Sequence, residues 1–264
     1  MSRPPMGFDP HNPTSARVLN YLQGGKDGFT ADKDLGEQIL SVAPDTMAMV
    51  WFSRQFLIGA VRMAAEAGIR QFVDLGAGMP MEPTVHETAR SIHPDARVVY
   101  VDYDPVVFAH CNALYAGTPG VGALLGDVRR PGEILDELRD QSLIDPREPV
   151  AMLLIGVLPF VHDEDDPTAA AARIRDWMAP GSYFAVTHSS STSDPKFVEQ
   201  VLAATKLTAA EITFRSPEQI SAFFDGFDLL KPGLVPIQQW LAPDLPETGL
   251  VTYGAIGRKP GAVD

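Results

Sequence analysis

The sequence has a single cysteine, Cys111, in 264 residues. An internal disulfide and a cysteine-rich metal site are therefore excluded, and a reducing compartment suits the chain. Basic residues are also scarce. Lys+Arg number 21 against 34 Asp+Glu, a net charge of −13, with no run of Lys or Arg. A phosphate backbone would be repelled on average, so nucleic acid is not expected as a partner. Long apolar runs are missing: the longest, residues 150–161, is too short to cross a bilayer. The opening MSRPPMGFDP lacks the apolar centre of a signal peptide. The expectation is a soluble, cytoplasmic protein with no membrane contact. No His/Cys/Asp/Glu cluster has metal-binding spacing and no G-x-S-x-G elbow occurs, so neither a metal nor serine-hydrolase chemistry is expected. What remains is ordinary globular material, 45% hydrophobic and 21% charged. A chain of this size can bury about 70–75% of its unfolded surface, enough for a proper core.

The chain divides by pattern near residue 70. Residues 1–15 are rich in proline and read as irregular. Asn12-Pro13 reads as a helix start, continuing through Ala16, Leu19 and Leu22 to a stop at Gly24-Gly25. A second helix is expected after Thr30. A third follows Pro44-Asp45 and carries Met47, Val50, Phe56, Leu57 and Val61 before Gly68; Met47, Met49 and Trp51 read as helix core rather than as an aromatic cage. From Gln71 short apolar runs alternate with helical stretches. Strands are expected over 72–75, 97–102, 122–125, 150–158 and 183–187, and helices over 85–92, 105–115, 133–139 and 168–178. Strands apolar on both faces and alternating with helices indicate a parallel sheet covered on both sides. Ser216-Pro217-Glu218-Gln219 reads as a reciprocal cap opening a last helix that ends at Gly226. Closing strands are expected over 227–230 and 251–256. The architecture is an α/β fold of seven strands with an N-terminal helical cap. Its domains are a cap over residues 1–70 and a sheet domain over 71–264.

Four motifs stand at strand ends. Asp74-Leu75-Gly76-Ala77-Gly78 closes the first strand, where two glycines let a ligand approach the backbone; a bare strand–helix turn would read the same way. Asp102 ends the second strand, where its carboxylate can accept both hydroxyls of a ribose. Asp104, directly before Pro105, is better placed to cap the following helix. Gly126-Asp127-Val128-Arg129 follows the third strand; Asp127 could accept from an adenine amino group with Val128 over the ring, or could cap a turn. Gly156-Val157 closes the fourth strand beside Leu158-Pro159-Phe160. A dinucleotide would want a third glycine and a phosphate at the helix start. Here Met79, Pro80, Met81 and Glu82 follow Gly78, so a diphosphate is disfavoured. S-adenosylmethionine carries no phosphate and fits better, with Asp74 suited to its ammonium group.

With these motifs placed, the chain resembles the class I S-adenosylmethionine-dependent methyltransferases, and more narrowly the actinobacterial S-adenosyl methyltransferase family, formerly a domain of unknown function. The resemblance rests on residues 12–27 (NPTSARVLNYLQGGKD), 74–80 (DLGAGMP), 100–105 (YVDYDP), 156–161 (GVLPFV), 232–235 (PGLV) and Trp240. It covers nearly the whole chain. Family members often carry His where Pro159 stands and Pro where His162 stands, so the acceptor site is expected to differ here. The resemblance implies a Rossmann-like sheet of seven strands with strand 7 antiparallel, and a segment Arg17–Asp27 folded over the cofactor pocket. Arg17 or Lys26 would hold the methionine carboxylate, Tyr21 would pack on the pocket, and Gly25 would give the segment its freedom. The cofactor set is completed by Asp74, Gly76, Ala77, Gly78, Asp102, Tyr103, Asp127, Val128, Gly156 and Val157. His188, at the end of the fifth strand, is the first candidate for a general base, with Tyr21 and Asp27 behind it. His162 also follows a strand end, His86 reads as packed, and Ser189–Ser191 form a polar loop. The expected activity is methyl transfer to a small-molecule acceptor. A protein that binds S-adenosylmethionine as a sensor, without transfer, is the alternative, and a nicotinamide-dependent oxidoreductase the third reading. Oligomeric state is not legible.

Overall fold

The fold is given by a computed structural model that describes residues 9–242, 244–245 and 248–261. Of the irregular stretch expected over 1–15, residues 1–8 lie outside the described residues. Three helices come first: α1 (Ser15–Leu22), α2 (Thr30–Val42) and α3 (Thr46–Glu66). Strand and helix then alternate: β1 (Gln71–Leu75), α4 (Val85–Arg90), β2 (Arg97–Asp102), α5 (Pro105–Tyr115), β3 (Val121–Leu125), α6 (Pro131–Asp140), β4 (Ala151–Ile155), α7 (Pro167–Trp177), β5 (Tyr183–Ser189) and α8 (Pro195–Thr205). The chain closes with α9 (Pro217–Ser221), β6 (Asp228–Leu229), β7 (Val235–Pro236), α10 (Gln238–Leu241) and β8 (Thr252–Arg258).

The strands form one sheet in the order β3-β2-β1-β4-β5-β8-β6, with β7 also paired to β8. β1 to β5 are parallel and β8 runs antiparallel to β5, as expected of the last strand. The expected seven strands are joined by an eighth, the two-residue β7. Alternate residues face opposite layers. Phe72, Val98 and Leu153 enter one core cluster, while Val73, Val99 and Met152 enter the other. α3 crosses the first face and adds Phe56, Leu57, Ala60, Val61 and Ala64 to the same cluster. The sheet's core thus runs through the expected boundary at residue 70. α1 and α2 pack on each other and on α3, with α8 on α2, around a small cluster of Val18, Leu22, Leu35, Ile39, Val50 and Ala210.

Capping residues fix the starts. Asp104 accepts from Val106 N–H with Pro105 behind it, and Ser216 and Gln219 cap each other reciprocally. Four expectations are corrected. α1 starts at Ser15, not at Asn12-Pro13, because Thr14 is extended, bridging Ala209 and donating its N–H to Asp32 Oδ1 at 3.1 Å. The strand expected over 150–158 ends at Ile155, because Gly156 turns to φ +69°. Helix α8 was not anticipated, although Asp194 accepts from Lys196 and Phe197 N–H groups ahead of Pro195 in the usual start pattern. Met47 and Trp51, expected in the helix core, are each 54% exposed while Met49 is buried; one helical turn separates the first two, which share the outer face. Among the described residues no helix is long and apolar enough to cross a membrane.

Candidate active site

The chain runs outward through β1, β2 and β3 and returns to β4 beside β1. The carboxyl ends of β1 and β4 therefore mark the point where strand order reverses, the usual crevice for ligands in such sheets. A cavity of about 280 Å³ opens there. Its floor is the loops after β1, β2, β3, β4 and β5, and its roof is α1, α2, α3, α8 and residues 208–214.

The loop after β1 turns through Gly76 (φ +72°) and Gly78 (φ +66°). Gly76 and Ala77 N–H groups both donate to Val101 O, at 2.7 and 3.0 Å, which pulls the loop toward β2. A Cβ on Gly76 would lie 2.5 Å from Val157 Cγ2 in the loop after β4. Only glycine satisfies both that spacing and that φ. Asp102 ends β2 buried, with Oδ2 accepting from Gly78 N–H and Oδ1 from Asp104 N–H, each at 2.9 Å. Burial pushes its pKa up to about 6 despite these donors. Asp74 is pushed up to about 7, by burial first and by the charge of Asp102, with Arg54 opposing. Tyr103, beside Asp102, is raised to about 12, chiefly by burial. Two buried carboxylates that are costly to ionise and face one cavity are a site signature.

Asp127 and Val128 line the cavity after β3. The Asp127 carboxylate is forked by Arg129, whose Nε lies 2.9 Å from both oxygens. Gly156 lines the opposite wall, its N–H donating to Thr187 Oγ1 at 2.8 Å. Asp74, Gly76, Ala77, Gly78, Asp102, Tyr103, Asp127, Val128, Gly156 and Val157 thus all meet in one cavity.

The N-terminal candidates do not. Arg17, Tyr21, Gly25, Lys26 and Asp27 are absent from the lining. Arg17 is 2% exposed and turns inward. Its Nε lies 3.2 Å from Asp104 Oδ2 and 2.9 Å from Thr14 Oγ1, Nη1 lies 3.5 Å from Asp32 Oδ2, and Nη2 donates to Asn12 O at 2.7 Å. Its charge is taken by two carboxylates of the protein, which leaves none for a ligand's. Tyr21 donates to Glu37 Oε1 at 3.1 Å and lies against Gly36, where a Cβ would meet its ring at 2.5 Å. Gly25 N–H donates to Asn20 O at 2.8 Å and Asp27 N–H to Asn20 Oδ1 at 3.3 Å. The segment folds back on Asn20, while Lys26 and Asp27 are exposed. Val18, Leu19, Asn20, Leu22 and Gln23 are its residues that reach the cavity.

His188 lines the cavity and is fully buried. Its Nδ1–H donates to Ser189 O at 2.9 Å, and Nε2 accepts from Arg215 Nη1 at 2.8 Å. Arg has only donors, so the Nε2 lone pair is occupied and the ring has no position left for a proton. Burial, with Arg215 beside it, lowers its pKa to about 4. The ring expected to act as a base is a buried acceptor. His162 also lines the cavity; its Nδ1 lies 3.0 Å from Thr213 Oγ1, and among the described residues Nε2 has no partner.

Two arginines escaped the sequence reading. Arg215 is buried and holds Leu158 O (3.0 Å), Val161 O (2.9 Å) and Asp163 Oδ1 (2.5 Å) as well as His188, fixing the loop after β4. Arg54, on α3, donates from Nη2 to Met81 O at 2.6 Å and also to Pro83 O, while its buried Nε has no partner. It lines the cavity near the glycine loop. Neither carries a local sequence signal, since each owes its place to residues far along the chain.

A family model described as S-adenosyl methyltransferase matches residues 2–260. Among solved structures, a candidate methyltransferase of Thermobifida fusca is 37% identical, with 98% of this chain and 99% of that one covered at a TM-score of 0.89. A DUF574 family protein of Streptomyces avermitilis is 34% identical, covering 96% and 99% at 0.90. The N-methyltransferase NodS of Bradyrhizobium japonicum, solved with S-adenosyl-L-homocysteine, is 11% identical over 86% and 97% at 0.51 and shares the fold alone. No curated protein matches. With the match spanning nearly every residue and two structures superposing end to end, the chain belongs to the S-adenosyl methyltransferase family.

Proposed function

We propose that the chain transfers the methyl group of S-adenosylmethionine to a small-molecule acceptor held in the same cavity. The observation that carries the reading is Asp102: a buried carboxylate at the end of β2, each oxygen anchored by one backbone N–H, facing the cavity beside the Gly76–Gly78 turn. Anchored this way, each oxygen keeps a lone pair for a ribose hydroxyl.

The rest of the lining suits the same cofactor. Asp74, whose carboxyl is kept protonated by burial up to about pH 7, would ionise against an incoming ammonium group, and the Arg54 guanidinium lines the same end of the cavity for a carboxylate. Asp127 and Val128 are placed for the adenine edge and face. Asp74, Asp102 and Asp127 together disfavour a diphosphate. Bound there, S-adenosylmethionine supplies a methyl carbon already activated by a sulfonium, so the protein's main task is to hold the acceptor in line. Arg215 fixes the Leu158–Asp163 wall against which the acceptor is oriented. His162 takes the acceptor's proton at Nε2, with Thr213 holding Nδ1; such a base adds about 10²–10⁴-fold where deprotonation is needed.

Calorimetric titration with S-adenosylmethionine, S-adenosylhomocysteine and NADH tests the reading. Binding of the two sulfur ligands and not of NADH is expected. Failure of both to bind folded protein overturns it, and binding without turnover across an acceptor screen favours a sensor.

A further inference from the structure

We propose that the roofed end of the cavity is the acceptor site and takes an uncharged, largely aromatic or aliphatic small molecule with one polar edge. Its role rests on the methyltransferase reading; its chemistry rests on the lining itself. The charged residues that line the cavity, Arg54, Asp74, Asp102, Asp127 and Arg129, all lie at the sheet end, Arg54 through its bonds to Met81 O and Pro83 O. The opposite end is built by Val18, Leu22, Ile39, Val50 and Ala210, one hydrophobic cluster, with Val201 of α8 beside them. In a fully packed cap these side chains would meet without a gap. Here all six border open volume.

The threonine hydroxyls at that end are already satisfied. Thr46 donates to Ala43 O at 2.7 Å, Thr205 to Val201 O at 2.9 Å and Thr208 to Thr205 O at 2.7 Å. Each hydroxyl hydrogen is bonded to a backbone carbonyl, so the roof turns carbon toward a ligand. A carboxylate, phosphate or ammonium entering it would lose hydration and gain no counter-charge. Free polar capacity lies at the rim, in the amides of Asn20 and Gln23 at the end of α1, and at the strand ends, where His162 and Ser189 line the cavity. An acceptor therefore meets carbon over most of its surface and a hydrogen-bonding edge on one side. The volume of about 280 Å³, shared with the cofactor, limits it to a compact molecule.

The test is a fluorescence titration of the full chain, saturated with S-adenosylhomocysteine, against three probes sharing one ring system: 2-naphthol, 2-naphthoate and 2-naphthylmethylammonium. Saturable one-to-one binding of 2-naphthol is expected, with each charged ring about tenfold weaker or worse. Filling the roof with Val201→Trp weakens 2-naphthol about tenfold and leaves S-adenosylhomocysteine affinity within about twofold, because displaced ring surface is lost from one ligand only. Ala210→Leu is the second filler, used where circular dichroism shows that the first disturbs the fold. Three results overturn the proposal: no saturable 2-naphthol binding, a charged ring binding as tightly, or both fillers leaving 2-naphthol unaffected. Failure of S-adenosylhomocysteine to bind is read separately by calorimetry and strikes the methyltransferase reading instead. The three rings are then compared on the unloaded protein, where the same outcomes decide the chamber's chemistry.

Discussion

Two groups of one arginine and two aspartates sit near the carboxyl edge of the sheet, and they are built to opposite ends. In the first, Arg17 lies between Asp32 and Asp104, all three fully buried, with Thr14 donating its hydroxyl to Asp104 Oδ2 at 2.7 Å. In the second, Arg54 faces Asp74 and shares the cavity with Asp102 but bonds only to backbone carbonyls, and its Nε is left over. The first group neutralises its arginine with two carboxylates, although Arg17 Nη1 makes no hydrogen bond, and ties α1 and α2 to the loop after β2. The second is left with two carboxylates raised to about 7 and about 6 and an arginine whose bonds go to carbonyls rather than to a carboxylate. Composition and burial alone do not separate a clamp from a binding site. The difference lies in which partners each charge already has.

The largest effect should come from breaking the clamp. Arg17→Ala leaves two buried carboxylates without their cation, and such a loss typically costs about 3–5 kcal/mol. Urea unfolding measures it. A loss below about 1 kcal/mol would mean that solvent reaches the site and that the contrast between the groups is false.

This is also where the sequence could and could not be read. The α/β alternation, β2 to its last residue and the glycine loop follow from local pattern, because strand period and turn chemistry are written within a few residues. The Arg17 clamp joins residues 17, 32 and 104, and the His188–Arg215 bond joins β5 to the segment before α9. Such pairs are set by tertiary closure. A buried arginine in a clamp and one in a ligand site look alike as letters, so the carboxylate-holding role falls to Arg17 or Lys26 in the sequence and Arg54 carries no signal.

Next in size is the pH response of the open group. Folded Asp74 holds a proton up to about pH 7, whereas the unfolded chain releases it near 3.8. Its contribution is therefore fully present below 3.8 and is lost as pH rises through 7. A shift of this size is worth up to about 4 kcal/mol. His188 acts the other way. Its pKa falls from 6.5 to about 4, so its contribution is present above 6.5 and lost as pH falls through 4. Asp102, raised to about 6, falls alongside Asp74, so between pH 4 and 6 two falling contributions meet one rising one, and Asp74→Asn should turn a falling profile into a flat one. An unchanged slope in unfolding curves taken across this range would show that Asp74 ionises normally.

Asp102→Ala sharpens the binding half of the comparison. Removing a carboxylate that receives ligand hydroxyls should cost about 1.5–3 kcal/mol, or roughly tenfold or more in S-adenosylmethionine affinity. The Gly78 and Asp104 N–H groups lose their acceptor in the same variant. Asp102→Asn, which keeps an acceptor oxygen, should therefore recover part of the loss. Equal affinity in all three proteins would remove Asp102 from the cofactor site.

The smallest effect is the one that best separates a resemblance from a geometry. Lys26 and Asp27 belong to the 12–27 stretch on which the family resemblance rests, yet both side chains are exposed and neither lines the cavity. The Asp27 tie to Asn20 runs through its backbone N–H, which a side-chain substitution leaves in place. Lys26→Ala and Asp27→Ala should change S-adenosylmethionine affinity by less than about twofold, within the usual range for exposed charges. A tenfold loss in either would mean that residues 24–28 swing onto the bound ligand. The roof would then be a moving part, and the division between a closed clamp and an open site would hold only for the ligand-free protein.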